Sequence, residues 1–149
     1  MYTQPAEIDY ELPIIPQTTK EDAAGNSETV LLVEDEAFVR EVTREVLVSA
    51  GYLLLTAKNS AEAAEIYERH GREINLLLSD VILPGEDGRM LAEKLQQKNP
   101  LLKVLLVTGY GEQMARKESG RAECLAKPFS SNVLLQRIRR ILDQKLSLA

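Results

Sequence analysis

The stretch from Leu76 to Gly88, LLLSDVILPGEDG, constrains the fold more than any other part of the chain. Leu76, Leu77, Leu78 and Ser79 run on without polar alternation, as a strand does when both its faces are covered inside a parallel sheet. Asp80 closes the run, and Pro84, Gly85, Asp87 and Gly88 then break regular structure. A carboxylate therefore stands where a core strand stops and a loop begins. In open α/β sheets that carboxyl end of the strands is where ligands bind.

Similar runs recur along the chain. Thr29 to Val33 reads as a buried strand ended by Glu34-Asp35-Glu36, Tyr52 to Ala57 as a second, and Lys103 to Val107 as a fourth ending at Thr108. Glu123 to Ala126 is a brief fifth, leading into Lys127-Pro128-Phe129. Between them the period becomes helical. Ala37 to Ala50 places Val39, Val42, Val46 and Ala50 on one face before Gly51 stops it. Asn59 and Glu62, at capping-box spacing, open a helix to about Arg69 that packs through Ala61, Ala64 and Ile66, with Gly71 ending it. A helix from Asp87 or Gly88 to Gln97 faces inward through Leu91 and Leu95, and Ser130 caps a last one to about Leu146 through Leu134, Ile138, Ile141 and Leu142. Gly109 to Arg121 is polar and holds at best a short, loose helix.

Five strands alternating with five helices imply an α/β fold with helices on both faces of a parallel sheet. Right-handed crossovers leave few topologies. The flavodoxin-like, doubly wound five-stranded sheet of order 2-1-3-4-5 is the common one of this size. It makes the first and third strands neighbours, so Glu34, Asp35 and Asp80 share one sheet edge with Thr108 and Lys127.

Composition sets the outer limits. A chain of 149 residues suits one domain. Residues 1–27 hold Pro5, Pro13 and Pro16 and no helical period, and read as a disordered or linker tail, with Ile8 to Ile15 its more apolar patch. Residues 28–147 form the folded domain. The net charge of −5 belongs to residues 1–28, where six acids face Lys20 alone, while 17 acids and 17 bases balance in the rest. That neutrality argues against nucleic-acid binding. No apolar stretch approaches the ~20 residues needed to span a membrane, and no leader pattern is evident, so no membrane partner is expected. A lone Cys124 allows no internal disulfide and fits a reducing, cytoplasmic setting.

Three carboxylates at one edge repel each other; two unit charges ~4 Å apart cost about 4 kcal/mol at an effective dielectric of 20. Such a cluster needs a cation, or one acid must stay protonated. All-oxygen donors favour Mg²⁺ or Mn²⁺ over zinc. An ammonium and a hydroxyl beside a carboxylate suit a transferring phosphoryl group, and a carboxylate can itself take that group as a nucleophile.

VLLVEDE, LLLSDVILPGEDG, VLLVTGY and AKPF, in this order and spacing, resemble the receiver domain of two-component response regulators over roughly Thr29 to Leu146. The resemblance implies a phosphorelay signalling domain rather than an enzyme. Asp80 would be the phosphoacceptor for a sensor histidine kinase, a phosphotransfer protein or a small phosphodonor. Asp35, Asp80 and the backbone carbonyl of Ile82 would bind Mg²⁺, and Glu34 would hold a metal-bound water. Thr108 and Lys127 would contact the phosphoryl oxygens, and Lys127-Pro128 would be a cis peptide. The Thr108 hydroxyl would move on phosphorylation, rearranging the face built from the fourth helix, fifth strand and last helix for an unknown downstream protein. The acidic, proline-bearing entry also looks similar to the linkers before receivers in hybrid sensor histidine kinases.

Three departures stand out. Glu34 replaces the first of the two aspartates many receivers carry. Cys124 occupies the position of the usual switching aromatic, leaving Tyr110 as a substitute or output by another route. Ile82 and Tyr110, bulky at positions that tune water attack, predict slow self-dephosphorylation. Two other classes compete: an unphosphorylated receiver-like adaptor for protein binding, and a phosphatase or flavin-binding protein of similar fold. The phosphatase pattern wants an acid where Ile82 stands, and Glu34-Asp35-Glu36 would repel a flavin phosphate. His70 is alone at a helix end, and Cys124 reads most simply as a small buried apolar residue.

Overall fold

The computed structural model describes residues 27–109 and 122–144. The strands are β1 (Thr29–Val33), β2 (Leu53–Ala57), β3 (Ile74–Asp80), β4 (Lys103–Thr108) and β5 (Ala122–Ala126). The helices are α1 (Ala37–Ser49), α2 (Ser60–His70), α3 (Gly88–Lys98) and α4 (Ser131–Asp143), with a short 3-10 turn at Gly71–Glu73. All pairings are parallel, in the order β2-β1-β3-β4-β5. This is the expected order 2-1-3-4-5. Four helices are present among the described residues; the loose helix expected over Gly109 to Arg121 lies almost wholly on residues 110–121, outside them, as do residues 1–26 of the expected tail and the last turn expected up to Leu146. No helix among the described residues is long and apolar enough to cross a membrane.

The unbroken apolar runs exist because each strand feeds two cores. Leu31, Val33, Leu77 and Leu106 pack on one face with Ala63 and Tyr67 of α2 and Leu91 and Leu95 of α3. Val30, Leu32, Leu76, Leu78 and Leu105 pack on the other with Leu47 of α1 and Ile138 of α4. Successive residues of a strand point to opposite faces, so a strand covered twice has no wet position left.

The helix faces differ in detail from the periodicity. Val42 is exposed, and α1 buries Leu47 instead. In α2 Ala63 and Tyr67 are the buried apolar residues, whereas Ala61 is exposed. In both, the stripe is rotated by about one position, which a count of apolar residues on a mostly alanine or valine helix cannot fix. Gly71 also does not end α2 through a left-handed turn: its φ is −55°. A Cβ there would lie 2.9 Å from the Tyr67 ring, so the glycine is needed for close approach. Gly51, with φ +102°, is the left-handed stop. Asn59 caps α2 by accepting from Glu62 N (2.8 Å), and the Glu62 carboxylate accepts in turn from Lys58 N (2.7 Å).

At the end of the sheet remote from Asp80, Arg139 of α4 holds the chain together. Its guanidinium donates to Glu28 (2.9 Å), Asp143 (2.9 Å) and the Tyr52 hydroxyl (3.1 Å). The side chain is 29% exposed, so these bonds are only partly screened. Arg139→Ala should therefore lower unfolding free energy in urea by about 1–3 kcal/mol, as expected when a half-buried charge-assisted network loses its donor. A change within error would show the network to be surface decoration.

Candidate phosphoacceptor and metal site

Strand register builds the site. Val33 is level with Ser79, Asp80 with Val107, and Thr108 with Ala126. The next residues out, Glu34 and Asp80, therefore emerge side by side. Lys127 N donates to Thr108 O (2.8 Å), which carries Lys127 to the same edge. Carboxylate oxygens of Glu34, Asp35 and Asp80 lie within 4.8 Å of one another. Lys127 Nζ stands 3.5 Å from Asp80 Oδ1. Thr108 is buried. Asp80, Ile82, Thr108 and Lys127 line one cleft of about 320 Å³ together with Val107 and Gly109. All the expected site residues thus converge, from four different strand ends.

The electrostatics follow from burial. Glu34 is 6% exposed, and that desolvation, with its hydrogen bond to Asp80, pushes its carboxyl up to about 7. The Glu36 N–H, donating to Glu34 Oε2 at 3.0 Å, opposes the rise. Burial likewise raises Asp80, while the Glu34 bond and the Lys127 ammonium pull it down and the Asp35 charge adds to the rise. Burial and close approach thus oppose full ionisation of both acids. The donor set is hard oxygen throughout and over-supplied with negative charge, which fits a divalent cation of the Mg²⁺ type.

The backbone of the site is held by residues the sequence reading passed over. Gly88 N donates to Val81 O (2.6 Å), and a Cβ on Gly88 would sit 2.0 Å from Asp80 O. Ser79 Oγ donates to that same carbonyl (2.8 Å). Arg40 Nη1 donates to Glu34 O (2.8 Å). Gly88 was legible only as a helix start; its contact with β3 needs the folded loop. Lys127-Pro128 is cis, as the resemblance implied. Cys124 is half-buried against the α2/α3 core. Tyr110 lies outside the described residues.

The model of the response regulator receiver domain family matches residues 30–139. The chain belongs to that family. Among curated relatives of this receiver domain, the sensor kinase CckA of Brucella abortus (strain 2308) is 36% identical over 141 residues, covering 91% of this chain and 15% of the relative. The sensor histidine kinase RcsC of Escherichia coli (strain K12) is 30% identical over 139 residues, covering 91% and 14%. The chain therefore spans only a small part of these relatives. Among solved structures, the receiver domain of the hybrid histidine kinase CckA superposes with a TM-score of 0.68 at 34% identity, covering 77% of this chain and 99% of that one. The response regulator TrrA of Thermotoga maritima, solved in complex with Mg²⁺-BeF, gives 0.69 at 28% identity, covering 76% and 98%. This chain is accordingly a receiver domain of two-component phosphorelay signalling, a family of signalling domains that recurs fused to other activities.

Proposed function

We propose that Asp80 accepts a phosphoryl group from a histidine kinase or phosphotransfer protein. The observation that carries this reading is the Lys127 ammonium 3.5 Å from an Asp80 oxygen inside a cluster of three carboxylates. In the transfer an Asp80 oxygen bonds to phosphorus as the P–N bond of a phosphohistidine breaks, the nitrogen keeping the electron pair. Lys127 faces the charge on the phosphoryl oxygens, and the Thr108 hydroxyl is the donor on the neighbouring strand. Glu34, Asp35, Asp80 and the Ile82 carbonyl would hold Mg²⁺, which when bound neutralises the carboxylates and draws in phosphoryl oxygens. Nothing in the cluster favours Mn²⁺. Beryllofluoride with Mg²⁺ tests the reading: it should bind the full chain, and Asp80→Asn should abolish binding. Equal behaviour of both proteins would leave the adaptor reading in its place.

The domain works as one module, residues 28–147, behind a linker, in the cytoplasm, and not as an enzyme in its own right. The two kinase alignments support a place within a hybrid kinase, because 91% of the chain is more than residues 27–149 supply, so both reach into the segment before the sheet.

Ile82 sets the lifetime of the phosphorylated state. It is 55% exposed at the cleft that holds Asp80, and its apolar side chain offers no hydrogen bond to orient an attacking water. Ile82→Asn should speed loss of the phosphoryl group about tenfold, or ~1.4 kcal/mol of barrier, measured by phosphate release from the isolated protein. An unchanged half-life would remove Ile82 from this role.

A further inference from the structure

The turn from β1 into α1 carries two of the three clustered carboxylates, Glu34 and Asp35, one peptide unit apart. They are held very differently. Glu34 N donates to Ala57 O at the end of β2 (3.0 Å), and the Glu34 carboxylate accepts from Glu36 N (3.0 Å). Asp35 is exposed, and its side chain makes no hydrogen bond among the described residues. Its place in the cluster therefore depends on the backbone beneath it. Glu36, the capping residue of α1, makes no side-chain cap bond that would steady this turn. Arg40 reaches it instead. It stands in the first turn of α1, where side chains lean back toward the start of the helix, and its Nη1 donates to Glu34 O at 2.8 Å. The Arg40 side chain is half-buried and forms no salt bridge among the described residues. A peptide unit is planar. An oxygen held at Glu34 therefore fixes the direction of the Asp35 N–Cα bond, and with it the direction in which the Asp35 side chain leaves the chain.

We propose that Arg40 is a positioning residue for the divalent cation: by holding the Glu34 carbonyl it sets the peptide plane from which the Asp35 carboxylate joins Glu34 and Asp80. This rests on the phosphoacceptor reading above. A ligand set in advance does not have to be ordered when the ion arrives, so the ion binds more tightly. Electrostatics alone would give the opposite sign. The guanidinium is always charged, and taking a positive charge away from the site would tighten the binding of a cation. The sign of the change on removing Arg40 therefore separates positioning from charge.

Calorimetric titration of the full chain with Mg²⁺ tests the proposal, with urea unfolding in EDTA run beside it. Arg40→Met keeps an unbranched, helix-forming stem and loses the donors. It should weaken Mg²⁺ binding about tenfold, the usual effect of removing a group that orients a metal ligand. The unfolding midpoint in EDTA should stay close to that of the wild type, because the bond is only part-buried and water can take the place of the guanidinium. A merely structural bond would do the reverse, lowering metal-free stability while the folded variant bound Mg²⁺ as the wild type does. Unchanged or tighter Mg²⁺ binding by folded Arg40→Met overturns the proposal and leaves the phosphoacceptor site standing. Absence of Mg²⁺ binding by the wild-type chain overturns both. If Arg40→Met does not fold, Arg40→Gln, whose amide falls short of the guanidinium tips, is judged by the same outcomes.

Discussion

Gly88→Ala is expected to cost the domain at least about 2–3 kcal/mol, the upper range for forcing a methyl group into a filled space, and to weaken Mg²⁺ binding more than tenfold. The reason is the partner in the clash. The new Cβ would sit 2.0 Å from Asp80 O and 3.1 Å from Ser79 Oγ, and the nearest of these atoms is backbone that cannot rotate aside. Relief requires moving either the start of α3 or the end of β3, and the latter carries Asp80. Urea unfolding and Mg²⁺ titration report the two effects separately. Gly85→Ala is the control. It meets no atom within 4 Å, but its φ of +86° costs an alanine roughly 1–2 kcal/mol. It should lower stability while moving Mg²⁺ affinity much less. Equal loss of affinity in both variants would show that loop rigidity in general, and not the Gly88 contact, sets the site.

The second large effect is electrostatic, and its sign is opposite to that of most carboxylates. Glu34 is raised to about 7 in the folded domain from an ordinary value of 4.5, chiefly by burial and by its hydrogen bond to Asp80. Between those two values the folded chain holds a proton that the unfolded chain has released. The contribution of Glu34 to metal-free stability is therefore fully present below about pH 4.5 and is lost as pH rises through about 7. The loss is on the order of 3 kcal/mol, since one unit of pKa is about 1.4 kcal/mol. Mg²⁺ should remove this slope by supplying the positive charge that the proton otherwise supplies. Asp80→Asn, which takes away one of the crowded carboxylates, should stabilise the metal-free domain at pH 8 and flatten its pH profile. Denaturation midpoints between pH 5 and 8, with EDTA and with Mg²⁺, measure all three. A metal-free profile that rises toward pH 8 would show that the cluster is not strained in the way the buried geometry implies.

Much of the fold was readable because parallel sheets leave a plain trace. Val30 to Val33, Leu76 to Leu78 and Val104 to Leu106 could only be strands wet on neither face, and both cores contain them. The order of the sheet followed from handedness rules, and with it the meeting of Glu34, Asp80, Thr108 and Lys127. What periodicity misjudged were helix faces. Val42 and Ala61 fall on solvent because a helix rotation of about one residue position decides which small residue meets the sheet. Single residues whose duty is a contact across the fold were also hidden. Gly71 looks like a stop signal but accommodates the Tyr67 ring, and Gly88 looks like a helix start but lies against the Asp80 carbonyl.

The identities of the acids, the hydroxyl and the amine, and their places at strand ends, were determined by the one-dimensional pattern, because alternation of strand and helix leaves only one edge where they can gather. The suppressed ionisation of Glu34, the closeness of Lys127 to Asp80 and the Arg139 hub were decided by tertiary structure alone. Desolvation, steric exclusion and hydrogen bonding act over a few ångströms, and only folding brings residues 34, 80 and 127, or 28, 52 and 139, within that range.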